Sequence, residues 1–209
     1  MGQRARVLRP AGPLTVALRE IPLFPLNTVL FPGGPLPLRI FETRYVDMVR
    51  QCLREEHGFG VVLIQQGTEG GGPARFAGVG TEARIVDFNR LEDGLLGLGC
   101  IGVGRFRVIE SWRAADGLNM GRVEDLEPEP AQPLPVEFAA LADVLRKVLP
   151  ELGEVYAHVT RAFDDAAWVG NRLVELLPLD LPAKQVLLEM SDPLERLAVI
   201  APMIRPQPD

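Results

Sequence analysis

The sequence predicts an α+β fold, in which an N-terminal twisted β lobe carries one packed helix and precedes a C-terminal helical bundle. Residues 21–45 place five prolines between large apolar residues, a pattern that favours edge strands and turns over helices. Apolar runs of strand length dominate the first part of the chain, whereas the last part has helical spacing. Residues 124–135 hold four prolines and four acids, which is typical of a stiff, solvated linker. We therefore divide the chain into a loose tail (1–18), a β lobe (19–123), this linker and a helical lobe (136–205).

The proline-rich segment ends in a predicted turn and an amphipathic helix. The cluster Pro32-Gly33-Gly34-Pro35 predicts a turn between two extended pieces. After Glu42 the apolar residues recur with helical spacing; they are Tyr45, Met48, Val49, Cys52 and Leu53. Gly58 stands where a C-terminal cap is expected. We expect this helix to pack on the sheet.

Three strand-like runs follow the helix. Residues 59–64 form a short apolar run that is typical of a buried strand. Residues 81–88 and 95–109 predict a hairpin around the turn Glu92-Asp93-Gly94. The glycine-rich residues 65–80 between these runs predict a mobile loop or a long hairpin connection.

The last part of the chain predicts a bundle of short helices. Three apolar stripes have helical spacing, at residues 141–149, 155–163 and 173–177. The third stripe stops at Pro178, and Pro182 suits the first turn of the next helix. Asp192 and Pro193 combine an N-cap with a proline at the first helical position.

Composition limits the class of protein and its partners. Hydrophobic residues make up 47% of the 209 residues and charged residues 24%, which is ordinary for a folded soluble protein. The net charge of −6 disfavours a nucleic-acid partner. Two cysteines, Cys52 and Cys100, cannot form a disulfide framework, and we expect buried free thiols. No apolar run reaches the length of a signal-peptide core or a membrane span, so we expect a cytoplasmic protein without a membrane partner.

Three blocks of the sequence resemble the LON substrate-binding domain, the N-terminal domain of Lon-type ATP-dependent proteases. They are residues 21–45, 78–110 and 168–197, and in order and spacing they cover most of residues 21–200. The resemblance implies a PUA-like pseudobarrel for the β lobe and a non-catalytic polypeptide-binding role. It implies an adaptor or chaperone-like binder of unfolded proteins in proteolysis, whose partners are polypeptide substrates or a protease machine. We expect a stand-alone member of the family, without ATPase or protease domains.

Motifs for catalysis are missing from the sequence. The chain has only two serines and two lysines, and neither lysine follows a glycine as a phosphate-binding loop requires. The serine and lysine of Lon proteolysis belong, by the resemblance, to a separate domain whose glycine-rich serine motif has no counterpart here. We therefore expect no enzyme activity, no catalytic residue and no cofactor.

Two further sequence patterns resemble ligand-binding motifs, but a structural role explains each of them better. Residues 97–102 satisfy the dinucleotide pattern GxGxxG, but they lie within a strand-like run rather than before a helix. A metal site would need more convergent ligands than His57, His158 and the two cysteines supply, so we expect none. We expect His158 to be partly buried and hydrogen-bonded.

Four apolar residues are the candidate peptide contacts. Leu23, Phe24 and Leu26 lie in the proline-rich segment near a predicted sheet edge, although core positions are the favoured interpretation for all three. Phe76 stands isolated among small and charged residues in the glycine-rich segment, so we expect it to be exposed. On that interpretation Phe76→Ala weakens capture of an unfolded protein and leaves the melting temperature nearly unchanged.

Three other functions stay open at this point. RNA binding through a PUA-like barrel would need one positive face, formed by Arg84, Arg90, Arg105 and Arg107. A small-molecule enzyme would need a deep pocket between the lobes, lined by Arg39, Arg44 or Arg84. A scaffolding role would use a homodimer through an exposed sheet edge.

Overall fold

In the part of the chain that the structure describes, the β lobe has seven strands and one helix, and the helical lobe follows it. These elements come from a computed structural model that describes residues 18–69 and 75–204. The β lobe comprises β1 (Leu18–Leu26), β2 (Pro35–Ile40), α1 (Thr43–Glu55), β3 (Phe59–Gln66), β4 (Arg75–Phe76), β5 (Val79–Arg90), β6 (Leu96–Arg113) and β7 (Asn119–Asp125). The helical lobe comprises α2 (Ala139–Val148), α3 (Ala166–Leu176), α4 (Leu181–Glu189), α5 (Pro193–Ile200) and 3-10 segments at Val136–Phe138, Leu149–Tyr156 and Ala201–Met203. The α+β class with a β-rich part and several helices is confirmed.

Five of the strands close into a ring. β1 pairs in parallel with β3 and antiparallel with β7, β7 pairs with β6, β6 with β5, and β5 with β3. β2 lies outside the ring and pairs only with the first half of β6. The first half of β6 therefore lies between β2 and β5, and these three strands form a sheet with two faces.

Helix α1 covers one face of that three-stranded sheet. It buries Tyr45, Met48, Val49 and Cys52, and each large apolar side chain removed from water contributes roughly 1.5–3 kcal/mol. Leu53, predicted on the same stripe, is 41% exposed. The helix ends at Glu56 rather than at the predicted glycine cap, because Glu56 itself adopts the left-handed conformation with φ 55°.

The core of the helical lobe is shared with the β lobe, because it includes Phe31 of the proline-rich segment and Leu63 of β3. Phe31, next to the predicted turn, is fully buried among residues of α2, α3 and α5. The caps that were predicted locally are confirmed, since Pro182 lies in the first turn of α4 and Asp192 accepts hydrogen bonds from the first turn of α5. The predicted stripe at 155–163 is wrong as a helix, because Gly153 (φ 60°, ψ −139°) breaks the 3-10 segment Leu149–Tyr156 and the chain beyond Ala157 is largely irregular.

The segment predicted to be a solvated linker takes part in the fold. Glu124 and Asp125 pair within β7, so the first two residues of the predicted linker belong to the sheet. Glu129 is buried between two arginines from different elements. Arg196 of α5 donates to both Glu129 carboxylate oxygens (2.6 and 2.7 Å), and Arg105 of β6 lies 3.6 Å from one of them. We call these three residues the interlobe ion cluster.

The predicted tail and the centre of the glycine-rich segment lie largely outside the described residues. Residues 1–17 of the tail and 70–74 of the segment belong to this part. On either side of residues 70–74 the chain forms a hairpin connection, because β4 pairs antiparallel with the end of β3.

Candidate functional site

A groove of about 1180 Å³ lies on the face of the β2–β6–β5 sheet that α1 leaves uncovered. Its floor is formed by Gly97 and Gly99 of β6. Pro37 of β2 and Asp87 of β5 flank Gly99 in register, so the groove is a trough with one neighbouring strand on each side. The missing side chain of Gly99 creates the open space, whereas Asn89 and Leu91 fill the space over Gly97.

The two floor glycines differ in how much space surrounds them. A Cβ at Gly97 would lie 2.4 Å from the side-chain oxygen of Asn89, which is too close without a shift. A Cβ at Gly99 would meet nothing nearer than the Cβ of Asp87 at 3.4 Å. A larger residue at position 99 can therefore fill the groove without a backbone collision.

Strand β5 borders the groove with an irregular and partly unpaired edge. Its register against β6 shifts between Ile85 and Asp87, which marks a β-bulge that exposes Val86. Strand β3 pairs with β5 only up to Ala83. Among the described residues, no strand pairs with the outer edge of β5 at residues 84–90.

The lining of the groove combines apolar walls with an excess of carboxylates. The apolar walls come mainly from Pro35, Pro37, Leu91, Ile101 and Val155. The charged residues are Arg39, Asp87, Glu92, Asp93 and Glu154. Arg39 forms an ion pair with Asp93 across the end of the groove, whereas the other three carboxylates have no ion pair within the described part of the chain. His158, expected to be partly buried, is exposed at the opposite end.

The 3-10 segment Leu149–Tyr156 forms one end of the groove and is anchored by buried polar contacts. The Tyr156 hydroxyl donates to Glu175 (3.2 Å), and Arg172 donates to both oxygens of the same carboxylate (2.5 and 2.8 Å). Arg172 also donates to the Pro32 carbonyl (2.9 Å), and Lys184 donates to the Glu175 carbonyl (2.8 Å). These contacts tie the 3-10 segment and the proline-rich turn to α3.

Burial shifts the pKa values of the residues that anchor the 3-10 segment. It raises the pKa of Glu175 above its ordinary value, although the neighbouring Arg172 opposes that shift. Burial also lowers the pKa of Lys184 and raises the pKa of Tyr156. The carboxyl of Glu175 therefore binds a proton more tightly in the folded chain than in the unfolded one.

Glu175→Gln is expected to change how stability depends on pH. The pKa of Glu175 is higher in the folded chain than in the unfolded one, where it is near 4.3. Its contribution to the free energy of unfolding is therefore fully present below about pH 4.3 and is lost as the pH rises through the pKa of the folded chain. The free energy of unfolding of wild type minus that of Glu175→Gln should thus fall from acid to neutral pH. Urea unfolding of both proteins between pH 4 and 8 measures this difference; a difference that rises with pH would contradict the raised pKa.

The residues predicted as peptide contacts lie away from the groove. Leu23, Phe24 and Leu26 are at most 8% exposed, so the core interpretation is confirmed and they offer no surface to a peptide in this conformation. Phe76 is partly buried, because β4 pairs it with Ile64 and places it against the cluster around Leu23. The expectation of an isolated exposed Phe76 is wrong, and Phe76→Ala should lower stability.

The arginines of the alternative functions do not form one site. Arg105 is 4% exposed and donates to the Leu188 and Met190 carbonyls, so it cannot belong to an RNA-binding face. Arg44 is bound to Glu42 and to the Gly117 carbonyl, and Arg39 is the only one of the proposed pocket arginines that lines the groove.

The remaining predictions about ligands and partners concern metal, thiols and membranes. No group of three metal-binding side chains occurs among the described residues. Cys52 and Cys100 are buried free thiols as predicted, and burial raises their pKa to about 11 and about 12. Within the described part of the chain, no helix is both long and apolar enough to span a membrane.

The groove itself was missed by sequence reasoning, although its signals are present. The glycines of the GxGxxG pattern lie within β6, as predicted, and two of them form the groove floor. Alternate prolines at 35 and 37 lie opposite Ile101 and Gly99. Glycines and prolines that alternate on facing strands indicate a sheet face with a trough, but the pairing of β2 with β6 was needed to recognise it.

Comparison with known proteins finds similar chains by structure and by sequence. The crystal structure of a Lon N-terminal domain protein from Xanthomonas campestris is 41% identical, covers 90% of this chain and 99% of its own, and superposes with a TM-score of 0.73. Lon protease 2 of Myxococcus xanthus is 26% identical over 192 residues, which are 88% of this chain and 23% of that protease. Protein cereblon of Xenopus tropicalis is 31% identical over 135 residues, which are 63% of this chain and 29% of cereblon.

The chain spans about a quarter of the length of the Lon proteases that it matches. The model of the ATP-dependent protease La (LON) substrate-binding domain matches residues 20–205, which include both lobes and the groove between the sheet and the 3-10 segment. The chain belongs to the LON substrate-binding domain family.

Proposed function

We propose that this chain binds extended segments of unfolded polypeptides in the groove, and that it serves as an adaptor or chaperone-like binder in proteolysis rather than as an enzyme. The observation that carries this proposal is the glycine-floored groove beside the unpaired edge of β5, in a chain of a substrate-binding family. Its partners would be polypeptide substrates or a protease machine that receives them.

The two borders of the sheet differ in their capacity to bind an added strand. In β2, Pro35 and Pro37 lack backbone N–H groups, so this strand is a poor template for further pairing. Residues 84–90 of β5 contain no proline and offer both N–H and C=O groups at their outer edge. An extended segment that adds to this edge gains main-chain hydrogen bonds, and the residues that follow it in the same polypeptide can cross into the groove.

The apolar walls supply the second part of the binding energy. A segment about four residues long spans about 13 Å at the rise of a β-strand, which is the distance along β2 from Pro35 to Arg39. A side chain over Gly99 would lie between the prolines of β2 and Leu91. We further propose a reducing cytoplasmic setting, which the two buried free thiols support.

Filling the groove is the direct test of this proposal. Gly99→Val places a β-branched side chain on the floor, where the nearest heavy atom would be 3.4 Å from its Cβ. We expect at least about a tenfold loss of affinity, roughly 1.4 kcal/mol, for a reduced and alkylated model protein, because the trough is occupied. Fluorescence anisotropy with the labelled unfolded protein measures the affinity.

A matched control lies in the same strand. A Cβ at Gly104 of β6 would meet no heavy atom within 4 Å, so Gly104→Val adds the same side chain away from the groove. This variant should bind like the wild type, and thermal melting of both variants checks that they stay folded. Equal affinity of Gly99→Val and Gly104→Val would refute the groove as the binding site.

A further inference from the structure

The carboxylates of the groove are placed on its opposite borders. Asp87 lies on the β5 side of the floor, and its carboxylate accepts a hydrogen bond only from the adjacent Phe88 amide among the described contacts. Glu92 lies in the hairpin turn at one end of the groove, and Glu154 lies in the 3-10 segment at the other. All three are exposed.

The cations at the groove do not balance these charges. Arg39 is bound to Asp93, so its charge is already compensated. His158 is the one other side chain of the groove lining that can carry a positive charge, so three carboxylates without an ion pair face at most one uncompensated cation. The groove lining therefore carries more acidic than basic side chains, with Glu92 and Glu154 at opposite ends of an apolar trough, and low-dielectric walls focus the field of such charges.

From this arrangement, and resting on the proposed function, we propose that the groove selects polypeptide segments in which apolar residues are flanked by lysine or arginine. The apolar residues occupy the trough over Gly99, and the flanking cations reach Asp87, Glu92 and Glu154. Long basic side chains suit this geometry, because their aliphatic stems cover apolar walls while their charged ends stay in water. Segments flanked by aspartate or glutamate are disfavoured by repulsion at both ends.

Peptides that differ only in their flanks test this selectivity. The probes are fluorescein-labelled peptides with a common centre of Leu, Val and Phe, flanked by Lys and Arg, by Ser and Gln, or by Asp and Glu. We expect the basic peptide to bind about tenfold more tightly than the neutral one, because three screened contacts each contribute a small gain. The acidic peptide should bind more weakly than the neutral one, and about 0.5 M salt should reduce both differences.

Two triple variants separate the groove charges from the net charge of the chain. Asp87→Asn/Glu92→Gln/Glu154→Gln removes the three groove carboxylates and should abolish the preference for the basic peptide over the neutral one. Asp47→Asn/Glu110→Gln/Glu137→Gln removes three exposed carboxylates that do not line the groove, and it should keep the preference. If both variants keep it, or both lose it, the assignment to these three residues is overturned.

The neutral peptide distinguishes the failure of this inference from the failure of the proposed function. If the neutral peptide binds, and Gly99→Val weakens it, but the basic peptide binds no better, only the charge selectivity is wrong. If none of the three peptides binds the wild-type protein, the groove is not a peptide site, and both the proposed function and the charge selectivity are wrong.

Discussion

Arg196→Met is expected to lower the free energy of unfolding by about 3–5 kcal/mol, because it leaves a buried carboxylate with much weaker compensation. Arg196 has no exposed surface, and it donates to both oxygens of Glu129 and to the Leu187 and Met190 carbonyls. The variant removes all of these hydrogen bonds at once. For a chain of this size such a loss corresponds to a fall of roughly 6–20 °C in melting temperature, and urea unfolding gives the free energy directly.

Two further variants test whether the effect arises from the buried ion pair. Arg50 forms an exposed ion pair with Asp47 on α1, so Arg50→Met should change stability by less than about 0.5 kcal/mol. Adding Glu129→Met to Arg196→Met removes the stranded carboxylate and should recover part of the lost stability. A double variant whose loss equals or exceeds the sum of the two single losses would show that packing, not charge, dominates at this position.

The interlobe ion cluster also shows where sequence reasoning stops. Local signals predicted the caps of α4 and α5, the hairpin turn at Gly94 and the buried face of α1, because each depends on residues within a few positions of one another. Glu129 stands among prolines and acids, a composition that indicates solvation. Its partner Arg196 is 67 positions away, so only the placement of α5 beside the segment that follows β7 reveals that this carboxylate is buried.

The dependence on residues that are distant in sequence also explains why the sequence did not locate the groove or the burial of Phe76. Phe76 looks isolated in sequence, but its burial depends on the pairing of β4 with β3 and on the distant Phe106. The groove depends on register, since Pro37, Gly99 and Asp87 come from three strands and become neighbours only when β2, β6 and β5 align. The resemblance predicted the family, whereas the location of a groove required the sheet.

The last glycine of the GxGxxG pattern is expected to be one of the least replaceable residues of the chain. A Cβ on Gly102 would lie 2.3 Å from the carbonyl oxygen of Phe31 and 3.1 Å from its carbon, both of them backbone atoms. Gly102 also donates to the Gly34 carbonyl (2.9 Å) and accepts from the Gly33 amide (2.8 Å). The proline-rich turn is thus docked on β6 through its backbone.

Gly102→Ala should therefore destabilise the protein by about 2–3 kcal/mol, since the collision cannot be relieved by a side-chain movement. Phe31 is fully buried in the core of the helical lobe, and Gly33 is held at φ 73°. The backbone of the turn therefore cannot easily shift away from a Cβ at position 102. Gly104→Ala, which meets nothing within 4 Å, should change stability by less than about 0.5 kcal/mol. Urea unfolding of both variants measures the contrast, and equal stabilities would mean that the turn is free to move away from β6. Because β2 begins directly after this turn, Gly102→Ala should also weaken peptide binding, whereas Gly104→Ala should leave it unchanged.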